Sequence, residues 1–226
     1  MSEKVFINNV LADADDAAVS TKDTGFLYGA GLFETMRSYN GKVFALDDHI
    51  QRLFASMQAL SILNTYSRQD ITDSIDSVLA VNGLSDARIR LTVTGGAISP
   101  EDAKPNTTLL ITASKFIPYP NQYYQKGIMA ILSPYRQNPN DPTCGHKTTS
   151  YFSRILALNS AHKKRGTEAL WFTTEGLLAE GCISNVFLVK DSAILTPKLQ
   201  TPVLPGITRK AVSQLAKENS IELVEK

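Results

Sequence analysis

A predicted β-hairpin in the first quarter of the chain constrains its fold more than any other sequence feature. Two runs with strand character, Leu32–Tyr39 and Lys42–Ala45, flank the dipeptide Asn40-Gly41. Asn-Gly between two such runs is the strongest short-range hairpin signal, because both residues tolerate the positive φ angles of the turn. The sequence therefore predicts a pair of antiparallel strands at this point.

A glycine-rich stretch leads into the hairpin. It places Gly25, Gly29 and Gly31 within seven residues. Glycine permits positive φ and close backbone approach, so we predict a tight turn that feeds the first strand. The glycine spacing is wrong for the dinucleotide-binding fingerprint, and a strand rather than a helix follows.

Strand and helix patterns continue along the whole chain and predict an α/β (α+β) fold in two domains. Asp47 or Asp48 is expected to cap the first long helix. Arg52 falls off its apolar stripe, and a solvated arginine is the ordinary interpretation of such a position. Further helices are predicted over 70–81, from just after Lys147 to 164, and over 207–219. Strands are predicted over 5–7, 10–11, 87–94, 107–114, 127–132, 168–173, 177–180, 185–189, 194–196 and 221–224.

A Pro- and Tyr-rich segment without periodicity divides these elements into two groups. We predict a small N-terminal α/β domain over 1–117, a linker over 118–126 and a C-terminal domain over 127–226. The helix after Lys147 is expected to include the apolar residues Phe152, Ile155, Leu156 and Leu158.

Composition narrows the class of protein. The 226 residues are 43% hydrophobic and 20% charged, with a formal net charge of +1, so no strong field attracts nucleic acid or an anionic membrane. No apolar run is long enough to span a bilayer, and no apolar signal core follows the N-terminus. Two cysteines do not make a disulfide framework. We therefore expect a cytoplasmic protein with no nucleic-acid or membrane partner.

Lys147 is the first candidate functional residue. It lies in the stretch Cys144-Gly145-His146-Lys147-Thr148-Thr149-Ser150-Tyr151, among small and polar residues that follow a Pro/Asn-rich loop. Most lysines lie on solvated faces, and that interpretation stays open here. A lysine amine in a partly dry pocket loses its proton more easily, and it can then form a Schiff base with a carbonyl group.

Three further features fit the same chemistry. Glu180 lies in an otherwise apolar strand pair, so its carboxylate needs a cationic or hydrogen-bonding partner. Gly206-Ile207-Thr208 stands at a predicted helix start, where free backbone N–H groups bind phosphate, and Arg52 offers a positive charge to the same group. Pyridoxal 5′-phosphate (PLP) requires an amine, a carboxylate and a phosphate site of this kind.

With these features in place, the chain resembles the class IV aminotransferase family, the fold type IV PLP enzymes. This family includes 4-amino-4-deoxychorismate lyases, branched-chain aminotransferases and D-amino-acid aminotransferases. The resemblance extends in family order from near the start to near the end of the chain. Its motifs are Tyr28-Gly29-Ala30-Gly31-Leu32-Phe33-Glu34-Thr35, His49-Ile50-Gln51-Arg52-Leu53, Lys147 before its helix, Glu180-Gly181-Cys182-Ile183-Ser184-Asn185-Val186-Phe187 and Leu204-Pro205-Gly206-Ile207-Thr208-Arg209.

The resemblance implies roles for individual residues. Lys147 would be the Schiff-base lysine and proton shuttle, and Glu180 would pair with the pyridine nitrogen. The remaining residues would contact the cofactor: Arg52, Ile207 and Thr208 at the phosphate, Ser184 and Asn185 from the adjacent turn, and Tyr151 at the ring hydroxyl, for which a packing role is the alternative.

The resemblance also implies an architecture and an assembly. A small α/β domain would precede a larger pseudobarrel-like domain, with the cofactor in the cleft between them. Members usually form homodimers that complete each other's sites. Family chains continue beyond the last strand seen here, so we expect this chain to be truncated at its C-terminus.

The first motif favours one branch of the family. Phe33-Glu34-Thr35 and the short spacing from Lys147 to Tyr151 look more like the lyases than the branched-chain enzymes, which carry Phe-Glu-Gly. The D-amino-acid enzymes use an Arg-x-His pair after the strand that ends at Gly95-Gly96, and residues 97–101 contain no such pair. The best expectation is an enzyme acting on a small amino substrate as a 4-amino-4-deoxychorismate lyase, with the two aminotransferase activities as alternatives.

Other classes of function stay open from the sequence. A lysine Schiff-base lyase without a cofactor leaves the phosphate-binding motif unexplained, and a non-catalytic binding protein on the same fold is the second alternative. No metal site is predicted, because His49, His146 and His162 lack a ligand spacing with the carboxylates. His49 is expected to pack beside its helix.

Overall fold

The computed structural model describes residues 2–97 and 107–226. It divides the chain into two compact units. The first runs up to Pro118 and also includes Lys147–Ser150, and the second consists of Tyr119–His146 and Tyr151–Lys226. The candidate lysine therefore belongs to the first unit, although the residues on either side of Lys147–Ser150 belong to the second.

An antiparallel sheet forms the centre of the first unit. Its strands are β1 (Lys4–Ile7), β2 (Val10–Asp13), β3 (Gly31–Tyr39), β4 (Lys42–Val43), β5 (Ala87–Thr94) and β6 (Leu109–Lys115). They are ordered β2-β1-β6-β5-β3-β4. Asn40 and Gly41 have φ angles of 49° and 79°, so the predicted hairpin between β3 and β4 is confirmed.

Two helices cover one face of this sheet, α2 (Leu46–Ala59) and α3 (Arg68–Val81). Alternation along the strands and helical spacing on α2 and α3 bring one continuous apolar cluster together. Its members include Leu32, Met36, Ile50, Leu53, Met57, Ile75, Val78, Ile89, Leu91 and Ile111. Burying each such side chain contributes about 1.5–3 kcal/mol, which makes this cluster the main stabilising element of the unit.

The start of α2 differs from the prediction. Neither Asp47 nor Asp48 caps the helix, because it begins earlier, after Ala45 with a φ angle of 50° and no side-chain cap. Both carboxylates lie in the first turn instead, where the helix dipole favours negative charge. The glycine-rich turn also contains a short helix that the sequence did not predict, α1 (Thr24–Tyr28), capped by the buried Asp23.

The second unit contains two small mixed sheets and three helices. Its elements are α4 (Asn121–Lys126), β7 (Ala130–Gln137), α5 (Phe152–Lys163), β8 (Glu168–Thr173), β9 (Leu178–Gly181), β10 (Leu188–Lys190), β11 (Ala193–Thr196), α6 (Ile207–Glu218) and β12 (Leu223–Glu225). Strand β8 pairs in parallel with β7 and antiparallel with β9. Strand β11 pairs antiparallel with β10 and in parallel with β12.

The structure of this unit differs in detail from the predictions. Strand β7 begins at Ala130, three residues later than expected, and α4 occupies most of the segment expected to be an irregular linker. On α5, Phe152 and Ile155 are exposed while Ala157 and Ala161 are fully buried. The small face of α5 packs against β7 and β8 because alanine allows helix and sheet to approach closely.

Across residues 2–97 and 107–226, no helix combines the length and apolar composition needed to cross a membrane.

Candidate active site

Lys147 lies on a short extended segment that pairs with the start of β3. The N–H of Phe33 donates to the Lys147 carbonyl at 2.9 Å, and the N–H of Thr149 donates to the Gly31 carbonyl at 2.8 Å. Leu32 and Thr148 form an antiparallel bridge between these bonds. The lysine therefore lies on a short segment that is bonded to the start of β3, a few residues before α5 begins.

The Lys147 side chain is half-buried and lies against an aromatic ring. Its Nζ atom is 4.5 Å from the centre of the Phe33 ring, and the guanidinium carbon of Arg90 is 3.9 Å from the same centre. Phe33 is buried, so its ring is a fixed surface for the amine. An amine held in this way is accessible and has a defined direction, as a Schiff-base lysine requires.

The glycines of the first motif allow this docking. A Cβ atom on Gly31 would lie 2.9 Å from both the Thr149 hydroxyl and the Val93 carbonyl. Gly29 has a φ angle of 69°, and its carbonyl accepts a 2.8 Å bond from the Thr149 hydroxyl. Larger residues at these positions would push the lysine segment away from β3. The motif thus serves to seat Lys147.

Arg52 is mostly buried, which excludes the alternative interpretation of a solvated surface arginine. Its Nε and Nη2 atoms donate to Oε1 and Oε2 of Glu34 at 2.8 and 2.5 Å. His49 Nδ1 donates to the same Oε2 at 2.7 Å, so His49 is a hydrogen-bonding member of the cluster as well as a packed residue. Glu34 points toward α2 because it shares the core face of β3 with Leu32 and Met36.

Burial alone would raise the pKa of the Glu34 carboxyl, but donation from His49 and Arg52 outweighs it and leaves the pKa below its usual range. Glu34 is therefore a carboxylate at neutral pH. An acid on the core face of a strand was the signal from which this cluster could have been predicted.

Glu180 is buried in β9 and has the partners that its position requires. Arg154 Nη2 donates to Oε1 at 2.5 Å, and the N–H of Leu204 donates to Oε2 at 2.9 Å. Arg154 also donates to the Gly181 carbonyl and lies over the Trp171 ring at 5.1 Å. The predicted need for a partner is confirmed, while Arg154 itself carried no sequence signal.

A second buried acid, Glu168, organises the turn after β9. Its Oε1 accepts from the backbone N–H of Ala169 and Cys182, and its Oε2 accepts from the Ser184 hydroxyl at 2.7 Å. Asn185 Nδ2 donates to the Leu204 carbonyl at 3.0 Å. Ser184 and Asn185 are thus fixed by the protein in the turn where the resemblance places them.

The start of α6 has the character of an anion site. Gly206 is its N-cap, the helix is 12 residues long, and no side chain caps it. A Cβ atom on Gly206 would lie 1.9 Å from Asn185 Oδ1, so only glycine fits there. Ile207 and Thr208 provide the first backbone N–H groups and a hydroxyl, the donors that bind phosphate at helix starts.

Tyr151 makes a protein contact of its own. Its phenol donates to the Cys182 carbonyl, and burial raises its pKa to about 12. The phenol is therefore neutral across the physiological range, and its one proton is used in the bond to the Cys182 carbonyl. A bond to the ring hydroxyl of a cofactor stays a prediction.

The first unit holds Arg52 and Lys147, and the second holds Tyr151, Glu180, Ser184, Asn185, Ile207 and Thr208. Each functional type that PLP requires is present in a suitable chemical setting: a half-buried amine, a buried carboxylate fixed by two donors, an arginine and an uncapped helix start. The donor set fits this cofactor.

Comparison with known proteins identifies the family. The family described as amino-transferase class IV matches residues 31–226. A putative branched-chain-amino-acid aminotransferase of Methanocaldococcus jannaschii is 37% identical over 98% of this chain and 77% of its own length. An aminodeoxychorismate lyase of Bacillus subtilis is 34% identical over 97% and 75%, and a D-alanine aminotransferase of Listeria monocytogenes is 31% identical over 98% and 77%.

Solved structures agree on the fold. The branched-chain amino acid aminotransferase of Escherichia coli superposes with a TM-score of 0.93 at 28% identity, over all of this chain and 78% of that one. A second branched-chain amino acid aminotransferase, complexed with N-(5′-phosphopyridoxyl)-L-glutamate, gives a TM-score of 0.89 at 25% identity over 100% and 76%. The predicted mixed α/β fold and the predicted cofactor are confirmed. The chain therefore belongs to the class IV aminotransferase family and is a PLP-dependent aminotransferase or lyase.

Proposed function

We propose that this enzyme is a 4-amino-4-deoxychorismate lyase, which eliminates pyruvate from its substrate and leaves 4-aminobenzoate. The observation that carries the proposal is the position of Thr35, the residue that separates the Phe-Glu-Thr and Phe-Glu-Gly forms of the first motif. Thr35 shares a face of β3 with Phe33, the residue whose ring contacts the Lys147 amine. The difference between the two branches thus lies on the face that the catalytic lysine uses.

Lys147 carries the chemistry in this proposal. Its Nζ atom would hold the cofactor until the amino group of the substrate takes its place, and the released amine would then accept the proton from the amino-bearing carbon. When bound, PLP supplies the electron sink for the charge that this removal leaves. The docking of residues 147–150 on β3 keeps the amine directed while the proton moves.

Glu180 and the phosphate residues orient the cofactor. Glu180 offers a carboxylate whose direction is fixed by Arg154 and Leu204, and a fixed negative charge keeps a proton on the pyridine nitrogen. Arg52, Ile207 and Thr208 hold the phosphate. Tyr151, Ser184 and Asn185 shape the surface around the ring.

A branched-chain aminotransferase is the second candidate, favoured by the 37% identity to the Methanocaldococcus jannaschii relative. A D-amino-acid aminotransferase is less well supported despite the 31% identity to the Listeria relative, because residues 97–101 lack the Arg-x-His pair. Residues 98–101 of that segment lie outside the described residues.

A direct assay separates these activities. The PLP-loaded protein is incubated with 4-amino-4-deoxychorismate, and separately with leucine or D-alanine plus 2-oxoglutarate. The proposal expects 4-aminobenzoate and pyruvate in equal amounts in the first reaction, with much slower glutamate formation in the others. Rapid transfer from leucine without release of 4-aminobenzoate would assign the branched-chain activity instead.

We also propose a cytoplasmic homodimer. Both cysteines are free thiols, as is usual in a reducing compartment. Phe152, Val189 and Leu132 expose 72%, 80% and 66% of their area in the second unit, and a partner subunit would cover apolar side chains of this kind. Sedimentation equilibrium should give twice the chain mass, and a monomer at micromolar concentration would contradict the assembly.

A further inference from the structure

We propose that Glu34 is a positioning residue that holds Arg52 in the orientation needed to bind the cofactor phosphate, with His49 fixing Glu34 from the other side. The inference rests on the proposed role of Arg52 as a phosphate ligand. It adds two residues, one on β3 and one on α2, to the machinery of the cofactor site.

The geometry is that of a fixed guanidinium. Glu34 is 2% exposed, and the Arg52 side chain is 10% exposed. Two N–H groups of Arg52 donate to the two carboxylate oxygens, and this bidentate arrangement defines the plane of the guanidinium as well as its position. A single ion-pair contact would leave the plane free to rotate.

His49 completes the arrangement by fixing the carboxylate itself. Its Nδ1 atom donates at 2.7 Å to the oxygen that also accepts from Arg52 Nη2. His49 and Arg52 lie three residues apart on α2 and therefore face β3 together. The carboxylate consequently has no alternative orientation that keeps all three bonds.

Stability alone is a weak reason for this cluster. Buried ion pairs often contribute little compared with apolar residues of similar size, because both charges lose hydration. The neighbouring positions on both elements, Leu32, Met36 and Leu53, are apolar and buried. A charged cluster at the border of such a core is explained if the arginine has to be presented with a defined direction.

Two effects of Glu34 on phosphate binding oppose each other. Its negative charge offsets that of Arg52 and weakens attraction to an anion, while the bidentate hold removes the rotamer freedom that arginine would otherwise lose on binding. We infer that the orienting effect is the larger of the two. The Glu34 carboxylate also compensates the positive charge of the Arg52 guanidinium, which is mostly buried. The sign of the mutational effect decides this question.

The test compares affinity for PLP with affinity for pyridoxal, which lacks the phosphate. Glu34→Gln should weaken PLP binding by about tenfold, the equivalent of one charge-assisted hydrogen bond, and change pyridoxal binding less than about twofold. A merely structural role would weaken both ligands equally. In an Arg52→Ala background, Glu34→Gln should have no further effect on PLP affinity, since the two residues act through one contact.

Asp47→Asn is the matched control, because Asp47 lies on the same helix and forms an exposed ion pair with Arg68. It should leave both affinities unchanged. If Arg52→Ala shows the phosphate-specific loss and Glu34→Gln behaves like Asp47→Asn, or binds PLP more tightly, the inference is overturned while the proposed function stands. A wild-type chain that binds neither ligand would overturn the proposed function and this inference with it.

His49→Gln provides a second variant should Glu34→Gln fail to fold. It leaves both Arg52–Glu34 bonds possible but removes the imidazole support, so we expect a smaller phosphate-specific loss of about threefold. Equal loss for PLP and pyridoxal in this variant would count against positioning.

Discussion

The two units of this molecule differ in the interactions that stabilise each of them. The first has a continuous apolar cluster of Leu, Ile, Val and Met side chains between its sheet and two helices. Among the described residues of the second, the buried apolar cluster consists of Ala157, Ala161, Ala169, Trp171 and Cys182. The first unit is therefore stabilised mainly by hydrophobic burial, and the second relies more on buried hydrogen-bonded acids.

The two units also differ in how far their predicted functional residues contribute to stability. In the second unit, Glu168 and Glu180 accept backbone N–H groups, while Glu180 is also a predicted cofactor ligand and Glu168 fixes the predicted ligand Ser184. In the first unit, the core residues are separate from Lys147, which docks on the edge of the sheet. In the first unit, substitutions of Lys147 and of the apolar core should therefore separate activity from stability. In the second unit, substitutions of Glu168 and Glu180 should affect both together.

The largest expected effect comes from Lys147→Ala. Removing the amine should lower turnover by about 10⁴-fold or more, because both cofactor attachment and proton transfer depend on it. The free energy of unfolding should change little, since the segment is held by backbone bonds. Lys164→Ala, an exposed lysine after α5, serves as the control in a steady-state assay. Retained turnover in Lys147→Ala would refute the assignment.

A core substitution in the first unit should show the opposite pattern. Ile75 is fully buried, so Ile75→Ala should cost about 2–5 kcal/mol of unfolding free energy while the folded fraction keeps normal turnover. Ile155→Ala on the exposed face of α5 should cost less than about 0.5 kcal/mol in the monomer. Denaturant unfolding followed by circular dichroism measures both. Equal costs would contradict the contrast between the two units.

Glu180→Gln should affect activity and stability together. The loss of a charged acceptor leaves Arg154 less well compensated, and the rate of proton abstraction should fall by about 10- to 100-fold. PLP affinity should fall by a smaller factor, because the phosphate contacts remain. Stopped-flow absorbance gives the rate and titration gives the affinity. An unchanged rate would remove Glu180 from the proposed mechanism.

The smallest effect concerns the pH dependence of the first unit. The pKa of Glu34 lies below its ordinary value of 4.5, so the carboxylate contributes stability above that pH and loses it as the pH falls through the lowered pKa. The free energy of unfolding should decline below about pH 5, and Glu34→Gln should flatten this decline. Asp47→Asn should leave it unchanged. A decline of the same steepness in Glu34→Gln would show that other acids cause it.

Local signals explain which parts of the fold the sequence predicted. Asn40-Gly41 fixes a turn by its own backbone preferences, and the alternation along β5 reports its half-buried state directly. The buried face of α5 was not predicted, because the choice between the Phe152 face and the Ala157 face depends on packing against β7 and β8. Apolar character alone does not say which neighbour covers a face.

Local sequence patterns also failed to predict which residues pair with each other in the candidate site. The buried position of Glu180 predicted a partner, but Arg154 lies 26 residues earlier on a helix whose orientation the sequence does not encode locally. The position of Arg52 off the apolar stripe of α2 left a solvated side chain open as an interpretation. Arg52 is buried because it pairs with Glu34, an acid on the core face of β3 that needs a cation.

Borohydride reduction of the PLP-loaded protein, followed by peptide mapping, tests directly whether Lys147 is the residue that binds the cofactor. The yellow colour should be lost, and a single peptide, containing Lys147, should carry the reduced cofactor. Protein that stays colourless with added PLP, or label spread over exposed lysines such as Lys163 and Lys164 with none on Lys147, would contradict this assignment.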